Sequence, residues 1–342
     1  MTTSTPHAQG YPEPQAIVVR TPNWLGDLLV STSFLRALMS RFPEARVDLI
    51  VRQGFQTLPL PHRGEVIPYD KHSVAPGRFG KAIGARGYSH FFVLPPSFSS
   101  AWMAFRSGVP VRIGHGGQGR RLLLRPAAPL RQAPRSVHLV REYLELLSPW
   151  IEAGWEKYPP RLDASADWIE SHLPAELAGL SGYVAVAPGA EYGPAKQWPA
   201  AHYRETALSL AEMGRTVVTV GLPSERELGA AIVEGLDGGI NLCGETSLPA
   251  LVAAVARAAL LISNDSGAMH LAAALDVPQI ALFGSTNPVW TAPLNPRAEV
   301  LTRHEPCSPC YARVCPLGHT RCLQELAPME VIAMAGRMLD GD

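Results

Sequence analysis

The sequence predicts an α/β protein made of two parallel-sheet halves. Three observations carry that reading. Short apolar runs alternate with helical patterns along the chain, the rhythm of parallel strands joined by right-handed crossovers. The rhythm halts at a proline-rich, aperiodic patch over 150–161 and then restarts. The length of 342 residues is that of two ordinary domains. We therefore expect a first domain over 1–157, with 1–15 a disordered leader, and a second over 158–342.

The elements follow in order. Ala16–Arg20 (AIVVR) reads as a strand and 24–39 as a helix. Strands follow at 47–51 (VDLIV) and 90–94 (HFFVL), then a helix at 137–147 before the linker. The second half opens with a strand at 183–187 (YVAVA) and a helix at 200–213. It continues with a strand at 216–220 (TVVTV) and helices at 224–235 and 248–257. The apolar run 258–262 is a buried strand, followed by a helix at 268–275 and a strand at Gln279–Phe283 (QIALF). Each half of such a fold takes its ligand at the carboxyl ends of its strands, which predicts two halves facing each other across a cleft.

Composition excludes several classes of function. Hydrophobic residues make up 46%, enough for two cores. Lys+Arg and Asp+Glu are both 30, so no bulk positive charge is offered to nucleic acid. No apolar stretch reaches the ~18 residues of a membrane span. The start, MTTSTPHAQGYPEPQ, has neither the basic end nor the apolar centre of a secretory signal. A cytoplasmic chain with reduced cysteines is expected.

The segment 259–274, ALLISNDSGAMHLAAA, is the most informative. A strand, a small polar turn and a helix point free backbone N–H groups at an anion. Ser266 and the Gly267 N–H could take a phosphate. Asp265 would repel one, so it is expected to take hydroxyls attached to the phosphate, which suggests a nucleotide sugar. The alternative is an ordinary Asp/Ser helix cap. His270, one turn on, either reaches the phosphates or packs inside.

Other turns at strand ends add to this. In 23–27, NWLGD, Gly26 permits close substrate approach and Asp27 is either a general base or a complement to the helix dipole. In 187–199, APGAEYGPAKQWP, Lys196 stands just before a helix, the wrong end for dipole compensation. That mismatch favours a phosphate partner over a solvated surface lysine, and Glu191 and Tyr192 could add polar contacts to the same ligand. Glu225, in GLPSERE, could hold ribose hydroxyls or be a first-turn glutamate. The Gly, Ser and Thr of 283–288 (FGSTNP) could line the same cleft.

Three features invite over-reading. Gly114, Gly116 and Gly119 match a dinucleotide fingerprint, but Pro126 follows early and no acid lies about 20 residues on. A flexible basic loop with Arg112, Arg120, Arg121 and Arg125 is the better reading. Cys307, Cys310, Cys315 and Cys322 cluster near His304 and His319, as reduced thiols in a compact loop or as a structural zinc site with irregular spacing. Trp24, Trp102, Trp198 and Trp290 are read as core or rim packing rather than sugar platforms.

Taken together, NWLGD, PGAEYGPAKQWP, NDSGAMHLAAALDVPQIALFGSTNP and CSPCYARVCPLGH resemble the lipopolysaccharide heptosyltransferases, glycosyltransferase family nine. The second and fourth are most similar to the heptosyltransferase II branch. The matches span roughly residues 17–330. The resemblance implies a GT-B architecture of two Rossmann-like domains and an inverting transfer without a catalytic metal or other cofactor. It implies ADP-heptose (ADP-L-glycero-D-manno-heptose) as donor and the inner-core heptose of a Kdo-lipid A precursor as acceptor. Asp27 then matches the base, Lys196 the lysine on the donor phosphate and sugar, and Glu225 the acid near the ribose. Asp265, Ser266, Gly267 and His270 match the D-[ST]-G-x-x-H donor motif, with Ala268 where relatives often have proline. Acceptor candidates are Arg52, Arg63, Arg120 and Arg121, for acidic Kdo and phosphate groups. The expected location is peripheral, at the cytosolic face of the inner membrane. Other readings are a family-nine transferase with another acceptor or nucleotide sugar, a nucleotide-sugar epimerase, and a non-catalytic nucleotide-binding protein.

Overall fold

A computed structural model describes residues 13–117, 119–128, 135–151 and 154–340. Most of the expected leader lies outside them. The chain divides into two compact units, Met1–Asp163 and Ala164–Asp342. The division falls six residues past the sequence boundary, and hydrogen bonds explain why. Tyr158 O accepts from Ser33 Oγ, Arg161 N donates to Thr32 Oγ1 at 3.0 Å, and Asp163 N donates to Pro59 O at 2.8 Å. The segment after the patch is thus fastened to the first unit.

In the first unit, β1 (Ala16–Arg20) leads into α1 (Leu25–Arg41) and β2 (Arg46–Arg52). Then come β3 (Val66–Tyr69), α2 (Pro76–Gly84), β4 (His90–Val93) and α3 (Phe98–Ser107). The unit ends with β5 (Val111–His115), β6 (Ala127–Ala128) and α4 (Leu139–Glu145). All six strands are parallel, in the order β3-β2-β1-β4-β5-β6. The centre is apolar on both faces: Ile17, Val18, Val19, Phe91 and Phe92 are fully buried, as parallel strands covered by helices must be. Phe34 of α1 meets Phe92 edge-on at 5.3 Å. Helices α2 and α3 approach closely because Gly80 and Gly84 present bare backbone to Met103 O and Ser107 O, where a Cβ would come within 2.2 and 1.9 Å.

The second unit holds α5 (Ala166–His172), β7 (Val184–Ala187), α6 (Ala200–Glu212), β8 (Val217–Thr219) and α7 (Arg226–Val233). It continues through β9 (Ile240–Asn241), α8 (Leu248–Ala256), β10 (Leu260–Asn264), α9 (Gly267–Ala274) and β11 (Gln279–Phe283). It closes with α10 (Pro288–Thr291), β12 (Ala298–Thr302), α11 (Arg321–Gln324) and α12 (Pro328–Asp340). Its parallel sheet runs β12-β11-β10-β7-β8-β9, the same winding as the first. Its core joins β7, β10 and β11 to Trp198 and Tyr203 and to Leu323, Leu326, Val331 and Ala335 near the end of the chain.

Some expectations need correction. The strand expected at 258–262 is Leu260–Asn264, because its pairing with β7 and β11 carries it through Ser263 and Asn264. The basic loop is not flexible throughout: Arg112 and Gly114 belong to β5, and Arg120–Leu122 form a 3-10 turn. Arg112 and Arg125 exchange backbone hydrogen bonds, N–H to O, at 2.9 and 2.8 Å, which fixes that turn. Trp198 is core, whereas Trp24 is 45% exposed.

Candidate active site

In each sheet the strand order reverses between two neighbours, β1 and β4 in the first and β7 and β10 in the second. Loops leaving those strands diverge and open a crevice, where open α/β sheets take their ligands. The two most telling loops of the second unit, 188–199 and 265–267, leave β7 and β10.

Asn264 holds them together. Its Nδ2 donates to Pro188 O at 2.7 Å and Gly189 O at 3.2 Å, and its Oδ1 accepts from Trp198 N at 2.9 Å. Trp198 Nε1 donates to Leu326 O at 2.9 Å, which pins the far end of the first loop to the core. Both ends of 188–198 are therefore fixed relative to β10.

This places Lys196 against Asp265. Nζ lies 2.5 Å from Asp265 Oδ2, with the Lys196 side chain 13% exposed and that of Asp265 5%. Asp265 also accepts from Thr286 Oγ1 at 2.6 Å and Thr291 Oγ1 at 3.4 Å. Asp265 was expected to receive ligand hydroxyls. In the structure its oxygens accept from a lysine and two threonines, so its carboxylate holds Lys196 in place. A buried carboxylate needs such partners.

Ser266 is the N-cap of α9, with extended backbone (φ −145°, ψ 178°) and no side-chain cap bond. The Ser266 side chain therefore makes no ordinary cap bond to α9. His270 is buried one turn in. The Glu225 carboxylate lies close to Gly189, where a Cβ would sit 1.6 Å from Oε1, and accepts from Leu222 N at 2.7 Å. Burial, and after it the nearby Glu191 carboxylate, raise the Glu225 pKa above the usual range, against the Leu222 N–H bond. Tyr192 places its ring 5.0 Å from Lys196 Nζ. Lys196, Asp265, Ser266 and Tyr192 thus come together, as do Glu191 and Glu225.

In the first unit, Asp27 lies in the first turn of α1, half-buried, behind the N-cap Trp24. Burial, and then the nearby Asp27 carboxylate, push the phenol of Tyr143 in α4 upward. Arg52 donates to Asn23 O at 3.4 Å and lies beside the same turn. The other acceptor candidates are placed differently. Arg63 donates to Met39 O at 3.2 Å, and to Phe42 O and Pro43 O, closing the end of α1. Arg120 is 4% exposed and donates to Pro95 O at 3.1 Å. Both guanidinium groups donate to main-chain carbonyls. Arg121 is exposed.

Sequence reasoning gave no role to Asn264, Thr291 or Arg20. Arg20 is 3% exposed, and it donates to Thr21 O at 2.8 Å, to Ile50 O at 3.1 Å and to Asn23 Oδ1. It braces the Asn23–Asp27 turn from below, and burial lowers its pKa to about 10. An arginine closing an apolar strand was the available signal.

Cys307, Cys310, Cys315 and Cys322 converge on one small cavity with His319, Ala195 and Ser285, while His304 is not among its lining. All are free thiols. Among the described residues no group of three or more His, Cys, Asp or Glu side chains is arranged to hold a metal ion. Burial pushes the Cys322 thiol up to about 11, with the other three thiols adding to it.

Two doubly wound parallel sheets of matching order, the second with a lysine at the start of a helix, define a GT-B-like α/β protein. The chain belongs to glycosyltransferase family 9 (heptosyltransferase), whose model matches residues 77–321. It is 33% identical over 305 residues to lipopolysaccharide heptosyltransferase 2 of Salmonella typhimurium strain LT2, covering 83% of this chain and 87% of that protein. The structure of ADP-heptose lps heptosyltransferase II from E. coli superposes with a TM-score of 0.81 at 30% identity, covering 96% of this chain and 99% of that one. The fold of a glycosyl transferase family 9 protein from Veillonella parvula matches with a TM-score of 0.82 at 22% identity, covering 96% and 98%. No helix among the described residues is long and apolar enough to cross a membrane.

Proposed function

We propose that this protein transfers L-glycero-D-manno-heptose from ADP-heptose to the inner-core heptose of a Kdo-lipid A type precursor. The observation that carries the proposal is the Lys196–Asp265 pair, 2.5 Å apart, at the start of α9. It provides a preorganised cation beside free helix N–H groups, where a departing diphosphate gains charge. The names of the similar proteins in Salmonella and E. coli support heptose as the sugar and ADP-heptose as the donor.

The reaction is read as a single inverting displacement. The acceptor hydroxyl oxygen bonds to the anomeric carbon as the bond from that carbon to the ADP oxygen breaks. Asp27 takes the hydroxyl proton. Lys196, Ser266 and the Gly267 N–H meet the charge left on ADP, in the place of a metal ion. Glu225, with Glu191, takes ribose hydroxyls, and His270 orients the diphosphate from within α9. Arg52 and Arg121 are the remaining candidates for acidic groups of the acceptor. With such a lipid acceptor the enzyme works peripherally at the cytosolic face of the inner membrane.

The test is incubation with ADP-heptose and heptosyl-Kdo2-lipid A, followed by mass spectrometry of the lipid. A gain of one heptose is expected, with an inverted anomeric centre by NMR and undiminished turnover after chelation. Asp27→Asn should lower the rate about 10²–10⁴-fold while leaving ADP affinity unchanged. Equal product from that variant removes Asp27 as the base.

A further inference from the structure

The loop 303–320, which the donor reading leaves unused, is tied to the donor loops. Ala195 N donates to Arg313 O at 3.0 Å, and Tyr192 Oη donates to Tyr311 O at 2.8 Å. Gly193 has φ 153°, and a Cβ there would fall 2.4 Å from Arg313 O, so only glycine allows this approach. On its other side, Tyr311 N donates to Ser285 O at 2.8 Å and Ser308 Oγ to Gly284 O at 2.5 Å. The loop is thus fastened to the segments that follow both β7 and β11.

Its consequence is electrostatic. Arg313 Cζ lies 5.0 Å from the centroid of the Tyr192 ring, the same distance as Lys196 Nζ. Two cations share one aromatic ring, each drawn to its negative face. Like charges so placed repel unless an anion joins them. Lys196 is paired with Asp265, which holds it in place but offsets part of its charge. A diphosphate arriving at α9 carries more charge than one such paired lysine offsets, so a second cation beside Lys196 would add to its binding. Arg313 is exposed and has no ion pair among the described residues. Its planar fork suits phosphate oxygens.

We propose that Arg313 is a second phosphate-binding residue of the donor site, held on the Tyr192 ring so that it takes the diphosphate together with Lys196. The proposal rests on the donor reading above and adds a residue to it. Tyr192 is then a positioning residue rather than a sugar contact.

Isothermal titration of ADP and of adenosine into the full chain and into Arg313→Ala tests this. Arg313→Ala should weaken ADP about tenfold or more and leave adenosine within twofold, since a charge-assisted hydrogen bond is lost and the base contacts are not. Arg313→Lys should bind ADP more tightly than Arg313→Ala, and KM for ADP-heptose should rise in Arg313→Ala with little change in kcat. Equal ADP affinity in Arg313→Ala and the unaltered chain overturns the proposal. So does a parallel loss of ADP and adenosine, which would mark a collapsed loop. Failure of the unaltered chain to bind ADP overturns the donor reading itself.

Discussion

Replacing Asp265 with asparagine should cost the second unit about 3 kcal/mol, the low end of the range for breaking a buried ion pair from one side. The amide keeps the shape but leaves the Lys196 ammonium, 13% exposed, without its counter-charge. The residual access to water is why the low end applies. Lys196→Met should cost less, about 2 kcal/mol, because the Thr286 and Thr291 hydroxyls still donate to the carboxylate. The double variant should cost no more than about 2 kcal/mol in total, since no buried charge is then left alone, giving a coupling of about 3 kcal/mol. A chain of two compact units need not unfold in one step. Hydrogen exchange of peptides from β7, β10 and β11 in the full chain therefore reports the right unit better than a single melting curve. In a unit of this size 3 kcal/mol corresponds to roughly 6–12 °C of melting temperature. Additive losses, within about 0.5 kcal/mol, would refute the claim that Asp265 exists to anchor Lys196.

Two further outcomes follow from single residues. Gly189→Ala should leave stability within about 1 kcal/mol, because the clash is with the movable end of Glu225, yet raise KM for ADP-heptose about tenfold by displacing that carboxylate; an unchanged KM removes Glu225 from the donor site. His90 is fully buried in β4 with Nε2 unpartnered, and burial lowers its pKa to about 4. An unfolded chain would protonate it near its ordinary value of 6.5. Between those values the unfolded state binds more protons, so stability falls as pH drops, by up to about 3 kcal/mol. Urea unfolding at pH 7 and pH 4.5 should show a first-unit loss that His90→Phe reduces, and an equal loss in both chains sinks the assignment.

The central strands were readable because they are apolar on both faces. AIVVR, HFFV, VAVA and QIALF need no alternation to declare themselves. Strands β3 (VIPY), β5 (VRIGH), β6 (AA) and β9 (IN) were not read, since they are short or interrupted by Pro, Gly or charge. Their strand character comes from a neighbour already in place. The site divides in the same way. Turns at strand ends were legible as places where polar loop residues gather, because strand, small polar residues and helix are contiguous. Their pairings were hidden, because Lys196 and Asp265 are 69 residues apart and Asn264 and Pro188 are 76 apart. The mismatch of Lys196 with the helix dipole points to an anionic partner, and one carboxylate beside it, Asp265, belongs to the protein. Arg63 and Arg120 were chosen for charge alone, and local sequence does not reveal that a carbonyl has already claimed a guanidinium.

The amide of Asn264 has one more consequence. By clamping 188–198 at two points, it makes the proposed donor-binding loop a finished surface before any ligand arrives. Little ordering entropy would then oppose the binding of a ligand there. A chain lacking that clamp would have to assemble its pocket around every incoming molecule, and turnover would become hostage to the wandering of one loop.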